Sequence, residues 1–327
     1  MIISRTPFRI SFTGGGTDLK AFYSREPGLV VSTTINKYMY ITVHESFDRA
    51  VRVSYSKTEI VEEAAQLRHP IVRAAMELTG VTRGVEITSV ADVPAGTGLG
   101  SSSSFTVGLL NALYAYQGRH VSSERLAEEA SRIEIEMVGE PIGKQDQYAA
   151  AFGGLQSVTF QPDESVAVQP MICSAEVKQA FESRLLLFYS GQTREAKTIL
   201  TAQREKTAEA DGFASLRAMK ALSERMRTLL QVNRPDALDD LGRLLHEGWE
   251  LKKGMAQGIS NEPIDRHYHA ARQAGALGGK LLGAGGGGFL LFYVPQASQA
   301  AVREALPLRE IPFRFESQGS RIIFVSD

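Results

Sequence analysis

Gly96, Gly98 and Gly100 alternate with Thr97 and Leu99, follow Pro94, and run straight into Ser101, Ser102, Ser103 and Ser104. Glycines let successive backbone N–H groups turn toward one point. The apolar run from Phe105 to Tyr116 behind the serines reads as a helix, so the loop feeds a helix N-terminus. Free amide donors and the positive end of the helix dipole then face one spot, which makes an anion site. The anion expected is a nucleotide phosphate. The Walker A arrangement is excluded, because no Lys-Ser/Thr pair follows a glycine at the required distance. Phosphate charge must instead be met by backbone amides, by the hydroxyls of Ser101 and Ser102, and by a metal.

Two further glycine stretches flank this one. The first is Thr13-Gly14-Gly15-Gly16-Thr17-Asp18, with Arg9 nine residues before Asp18. A carboxylate in such a turn accepts hydrogen bonds from a sugar's hydroxyls, or simply closes an Asx turn. The second is Gly283-Ala284-Gly285-Gly286-Gly287-Gly288. Its Gly283, Gly285 and Gly288 match the dinucleotide-binding spacing, but a helix precedes and a strand follows, the reverse of that fold. It is therefore either a flexible turn or a backbone that passes close to a ligand or another loop.

With 327 residues the chain has room for roughly two domains of about 150 residues each. Lys plus Arg number 36 against 37 acidic residues, so no global field attracts nucleic acid or a membrane surface. The single cysteine, Cys173, excludes an internal disulfide and suggests a reducing compartment. No apolar run approaches the roughly 20 residues that span a bilayer. Nor does the start of the chain read as a secretory signal, and the expectation is a cytoplasmic protein.

Strand patterns cover Ile2–Phe12, Leu29–Val43, Ala50–Ser54, Val85–Ala91 and Leu155–Phe160. Helices are expected over Pro70–Thr79, Phe105–Gln117, from Ser122 or Ser123 to Val138, and over Gln145–Phe152. Residues Gln161–Ser174 are polar, hold two prolines and mark a boundary. Beyond it come strand Arg184–Tyr189, a nearly all-helical block from Arg194 to Ala274, and alternating strands and helix to Val325. The apolar residues of 214–257, Trp249 among them, fit a second core. There is no regular βαβ repeat, which argues for an α+β fold.

The Pro-x-x-x-Gly-Leu-Gly-Ser-Ser run at 94–102 resembles the second signature of the GHMP kinases, named for galactokinase, homoserine, mevalonate and phosphomevalonate kinases. Arg9 through Asp18 resembles their first signature and Lys280 through Phe292 their third, in the family's order. The resemblance implies two α+β domains, residues 1–174 like ribosomal protein S5 domain 2 and 175–327 ferredoxin-like. ATP would lie on the 96–104 loop, on Pro94, Gly96, Gly98, Leu99, Gly100, Ser101, Ser102 and Ser103, and the 283–288 turn would close over the sugar. Galactokinases carry Glu and His where Gly15 and Gly16 stand here. Pro7-Phe8-Arg9-Ile10-Ser11 before the glycines is similar instead to sugar 1-kinases of D-glycero-D-manno-heptose 7-phosphate, and more distantly to fucokinases. Ile35-Asn36-Lys37-Tyr38 and Ser190-Gly191-Gln192-Thr193-Arg194 are similar to that subgroup too.

By that resemblance the chain is an enzyme, a phosphotransferase with an alcohol acceptor, that makes the 1,7-bisphosphate for activated heptose and surface polysaccharide. Glu134 and Ser102 would hold Mg²⁺, while Glu136 points about 200° away on an ideal helix. Asp146 would take the proton from the anomeric hydroxyl or orient it, with Arg9 or Arg5 as its cation. The sugar phosphate would meet Gly15, Gly16, Thr17, Asp18, Lys37, Arg194, Gly285 and Gly286. Arg194 and Lys197 are either grips for its far phosphate or ordinary solvated helix charges. Partners are thus ATP and a sugar phosphate, with a homodimer left open. The rival readings are a kinase of an unphosphorylated sugar such as fucose, and a non-catalytic sensor of sugar or nucleotide.

Overall fold

β-branched and aromatic residues fill the first 45 positions, and two long antiparallel strands result: β1 (Ile2–Thr13) and β2 (Gly28–Glu45), with a short helix α1 (Lys20–Tyr23) between them. In this computed structural model the described residues are 1–191, 196–232, 234 and 237–326. A hairpin of β3 (Val51–Ser54) and β4 (Thr58–Val61) follows. Helix α2 (Pro70–Thr79) opens on its proline and stops at Gly80, whose φ of 77° is left-handed. Strand β5 (Val85–Ala91) pairs antiparallel with β2 and parallel with β3.

Helix α3 (Ser101–Tyr116) begins at the serines themselves, four residues earlier than the apolar run suggests. Apolar all round, it is buried against β1 and β2, and at Gly108 its backbone comes close enough for Ser4 Oγ to donate to the carbonyl at 2.7 Å. Helix α4 (Ser123–Ser131) is capped by Ser122 and passes into a π-helical turn, Arg132–Met137, where Val138 N bonds Ile133 O at 2.9 Å. The single helix expected to Val138 is thus widened in its last turn. Then come α5 (Gln145–Phe152), β6 (Leu155–Phe160) and β7 (Val166–Pro170), so the polar stretch 161–174 contains a strand.

The second layer is built from α6 (Ala175–Glu182), β8 (Leu185–Tyr189), α7 (Ala196–Ala208), α8 (Ala210–Gln231) and α9 (Asp239–Lys253). It continues with α10 (Glu262–Gln273), β9 (Gly278–Leu281), β10 (Phe289–Tyr293), α11 (Gln299–Ala305) and β11 (Arg309–Glu310). Its sheet runs β11-β8-β10-β9, all antiparallel. Fully buried Trp249 lies here beside Tyr268, whose ring in turn meets Phe292. The chain then returns: β12 (Phe315–Glu316) pairs with β2 and β13 (Arg321–Val325) with β1. Residues 315–325 therefore complete the first sheet, nine strands among the described residues, rather than staying with the remainder of 175–327. No helix among the described residues is long and apolar enough to cross a membrane.

Helix α9 lies so close to β9 that a methyl group on Gly278 would strike the Gly242 carbonyl. Gly278→Ala should cost about 2 kcal/mol of stability by overpacking, and a lowered urea midpoint in equilibrium unfolding checks it.

Candidate active site

The three glycine loops meet at one cleft of about 250 Å³ between the two layers. The second and third touch backbone to backbone. Gly98 (φ 85°) and Gly283 (φ 72°) face each other so closely that a Cβ on either would strike the other's stretch of main chain. The third loop is therefore a clasp on the second, with Gly283, Ala284, Gly285 and Gly287 on the cleft wall. Gly100 (φ 74°) turns the chain into α3, whose N-terminus has no side-chain cap. The amides of the first turn are left for a ligand.

Arg9 projects from β1 and is almost fully buried. Its Nε donates to Asp146 Oδ1 at 2.7 Å, one terminal nitrogen to Asp146 Oδ2 at 2.8 Å, and the other to Gly98 O at 2.7 Å. Arg5 instead lies over the Tyr38 ring, 4.5 Å from its centre, so Arg9 is the cation beside Asp146. Asp146 sits in the first turn of α5, next to the second glycine loop at Gly100.

Glu134 is fully buried because the π-helical turn aims it inward, whereas Glu136 faces solvent. Ser102 Oγ donates to it at 2.5 Å, Ser103 Oγ at 2.8 Å and Gln147 Nε2 at 2.6 Å. Burial pushes its carboxyl up to about 7 despite those donors. No cation pairs with it among the described residues. A buried, cation-free carboxylate touching a serine hydroxyl is a hard oxygen donor set, which fits Mg²⁺.

Several residues expected at the site stand elsewhere. Thr17 is buried with its hydroxyl on Gly14 O at 2.8 Å, and it takes the Leu29 amide at 3.0 Å, so it ties the turn to β2 rather than facing the cleft. Leu99 is fully buried, its carbonyl accepting from Arg9 N at 3.1 Å. The Gly286 amide is spent on Ile259 O at 2.9 Å. Lys37, on β2, lies outside the cleft-lining set, and Lys197 pairs with Glu140 at 3.4 Å. Arg194 falls outside the described residues. Pro94 lines a neighbouring hollow of about 760 Å³ with Met39, Tyr55, His69 and Phe105, which shares Gly96, Ser101 and Ser102 with the cleft.

Residues 59–154 match the N-terminal domain of the GHMP kinases and residues 220–310 their C-terminal domain. A D-glycero-alpha-D-manno-heptose 7-phosphate kinase from Campylobacter jejuni is 30% identical over 93% of both chains. The chain belongs to the GHMP kinases. The family's sugar kinases are ATP-dependent phosphotransferases with an alcohol acceptor. A solved D-glycero-D-manno-heptose 1-phosphate kinase from Bacteroides thetaiotaomicron superposes with a TM-score of 0.80 at 25% identity over 100% of both chains. The bifunctional fucokinase/GDP-fucose pyrophosphorylase of Arabidopsis thaliana is 25% identical over 90% of this chain, which spans 30% of that longer protein.

This GHMP kinase carries two cleft lysines to which sequence reasoning gave no role. Lys252, in the last turn of α9, donates to Gly283 O, and Lys280 of β9 donates to Phe12 O at 3.0 Å. Neither has an acidic partner within ion-pair distance among the described residues. Burial, then Arg9 nearby, brings the Lys252 ammonium down to about 8. Burial and Lys252 itself bring Lys280 well below its usual value. The available signal was Lys280 standing within the apolar run Gly279–Leu282; nothing local marks Lys252.

Glu134 binds a proton more tightly folded than unfolded, so it favours the fold below about pH 4.5 and that advantage is lost as pH rises through about 7. Glu134→Gln should flatten this slope and make the ligand-free protein more stable at pH 8 by roughly 1–2 kcal/mol. Thermal unfolding across pH 5 to 8 checks it.

Proposed function

We propose that this chain transfers the γ-phosphoryl group of ATP to the C1 hydroxyl of D-glycero-D-manno-heptose 7-phosphate, giving the 1,7-bisphosphate. The observation that carries it is the bidentate Arg9–Asp146 pair beside the uncapped start of α3. One end of the cleft offers amides for phosphate, and a carboxylate stands next to them for a hydroxyl. The triphosphate would lie on the 96–103 loop, with the adenosine in the hollow that shares Gly96, Ser101 and Ser102. Lys252 and Lys280, without carboxylate partners, suit a cleft whose two ligands both carry phosphate. Residues 1–174 would then supply the nucleotide side and the second layer the lysines.

The hydroxyl oxygen forms the new bond to the γ-phosphorus as the bond to the β–γ bridging oxygen breaks, and ADP leaves with that electron pair. Asp146 receives the hydroxyl proton, while Arg9 fixes its carboxylate from both oxygens. Ser102 and Glu134 would hold Mg²⁺, which when bound neutralises phosphate charge. The clasp of Gly283 on Gly98 keeps the α3 mouth shaped for the triphosphate, so the phosphorus and the hydroxyl are held at reacting distance.

The test is ADP release with ATP, Mg²⁺ and a panel of sugars. Heptose 7-phosphate should be used best, and equal or better turnover of fucose or another unphosphorylated sugar refutes the substrate assignment. Asp146→Asn should lower kcat about 10³-fold while nucleotide affinity, measured by calorimetry with a non-hydrolysable analogue, stays within twofold.

A further inference from the structure

Beside the first glycine loop, strand β1 and helix α5 each leave one cleft-lining polar side-chain atom unpartnered. Two buried side-chain oxygens on the cleft wall, Ser11 Oγ and Gln145 Oε1, have no hydrogen-bond partner. The other buried polar side-chain atoms without partners belong to residues that do not line this cleft. A buried polar group left unmade costs free energy, so each of these oxygens needs a donor or acceptor that the chain does not provide.

Asp18 explains why Gln145 points its oxygen outward. Asp18 Oδ1 accepts from Gly16 N at 2.8 Å and Gln145 Nε2 at 3.2 Å, and Oδ2 accepts from Gln145 N at 3.2 Å. A flipped amide would set Oε1 against a carboxylate oxygen, so the Nε2 side must face Asp18. Gly143 packs so tightly on Asp18 that a Cβ there would strike Oδ2, which keeps the carboxylate in place. Both Asp18 oxygens thereby accept hydrogen bonds from the protein. Gly15 lies between the two unpartnered groups: a Cβ on it would stand 3.8 Å from Ser11 Oγ and 4.0 Å from Gln145 Oε1. The missing side chain leaves the space between them open to the cleft.

We infer that Ser11 Oγ and Gln145 Oε1 bind hydroxyls of the acceptor sugar next to the one that reacts, and that Asp18 is a positioning residue that aims Gln145. The ligand is a polyhydroxylated ring whose hydroxyl donates to the Gln145 oxygen and whose neighbouring hydroxyl exchanges a hydrogen bond with Ser11. This rests on the sugar-kinase reading above, since it names how that acceptor is recognised.

The experiment is steady-state kinetics of the full chain with heptose 7-phosphate and its monodeoxy analogues, for wild type, Ser11→Ala, Gln145→Met and Asp18→Asn. Ser11→Ala and Gln145→Met should each raise the sugar KM about tenfold and leave the ATP KM within twofold. The monodeoxy analogue that costs wild type about tenfold should cost the matching variant nothing more. Asp18→Asn, which presents an NH₂ toward Gln145, should reproduce the Gln145→Met phenotype rather than the kcat loss of Asp146→Asn. The inference is overturned if Ser11→Ala and Gln145→Met, with wild-type thermal midpoints, keep the sugar KM within twofold. It is equally overturned if each variant loses as much as wild type on every deoxy analogue. Absence of turnover with any sugar overturns the inference and the kinase reading together, whereas turnover with unaltered variants overturns the inference alone.

Discussion

The guanidinium of Arg9 is the constraint on which the cleft depends. All three of its nitrogens are committed, two to the carboxylate of Asp146 on α5 and one to the Gly98 carbonyl of the second glycine loop. One side chain from β1 thus fixes the distance between the Asp146 carboxylate and that loop. The pair is mostly shielded from water, and removing one partner of such a pair costs roughly 3–5 kcal/mol because the other charge stays behind. That cost falls where a misplacement of even an ångström lowers catalysis. Stability and reactivity are coupled through the same three hydrogen bonds.

Around that clamp the charges are arranged asymmetrically. Arg9 is neutralised in place, whereas Lys252 and Lys280 hold only main-chain carbonyls and Glu134 holds only neutral donors. Desolvation works against the charged form of each. Two lysines on the cleft wall thus lack carboxylate partners, and a buried carboxylate behind Ser102 lacks a cation. Within a chain of nearly balanced composition, uncompensated charge is thus concentrated at one place rather than spread over the surface.

What the sequence made legible was whatever chemistry is local. Three glycine stretches, the serine-led helix and the period-two strands each announce themselves within a dozen residues, and the family likeness drew attention to Glu134 and Asp146. Position in space was less accessible. Thr17 has the composition of a binding residue, yet its hydroxyl is consumed by Leu29 twelve positions on. Lys252 becomes a cleft residue only because the last turn of α9 packs against Gly283, and Gln145 presents its oxygen only because Asp18, 127 positions away, takes its nitrogen. The π-helical turn that aims Glu134 inward has no marker in Arg132–Met137. Nor does β13 declare that it pairs with β1 instead of the sheet that precedes it in the chain.

Strand β1 resolves why these distant pieces converge. Alternation along a strand sets Arg9 and Ser11 on one face, so the clamp and the free hydroxyl point into the same space. The register with β2 then slips between Ser11 and Thr13, and a slip of this kind frees a carbonyl from the ladder. Phe12 O is the carbonyl that takes Lys280 from the second layer. At its other end β1 is held between β2 and β13, with the backbone of Ile2–Arg5 paired on both sides. A strand paired on both edges cannot slide without breaking two ladders, so Arg9, Ser11 and Phe12 O keep fixed spacings. The return of the chain's last strand to the first sheet therefore acts on the cleft, because it immobilises the strand from which the clamp projects.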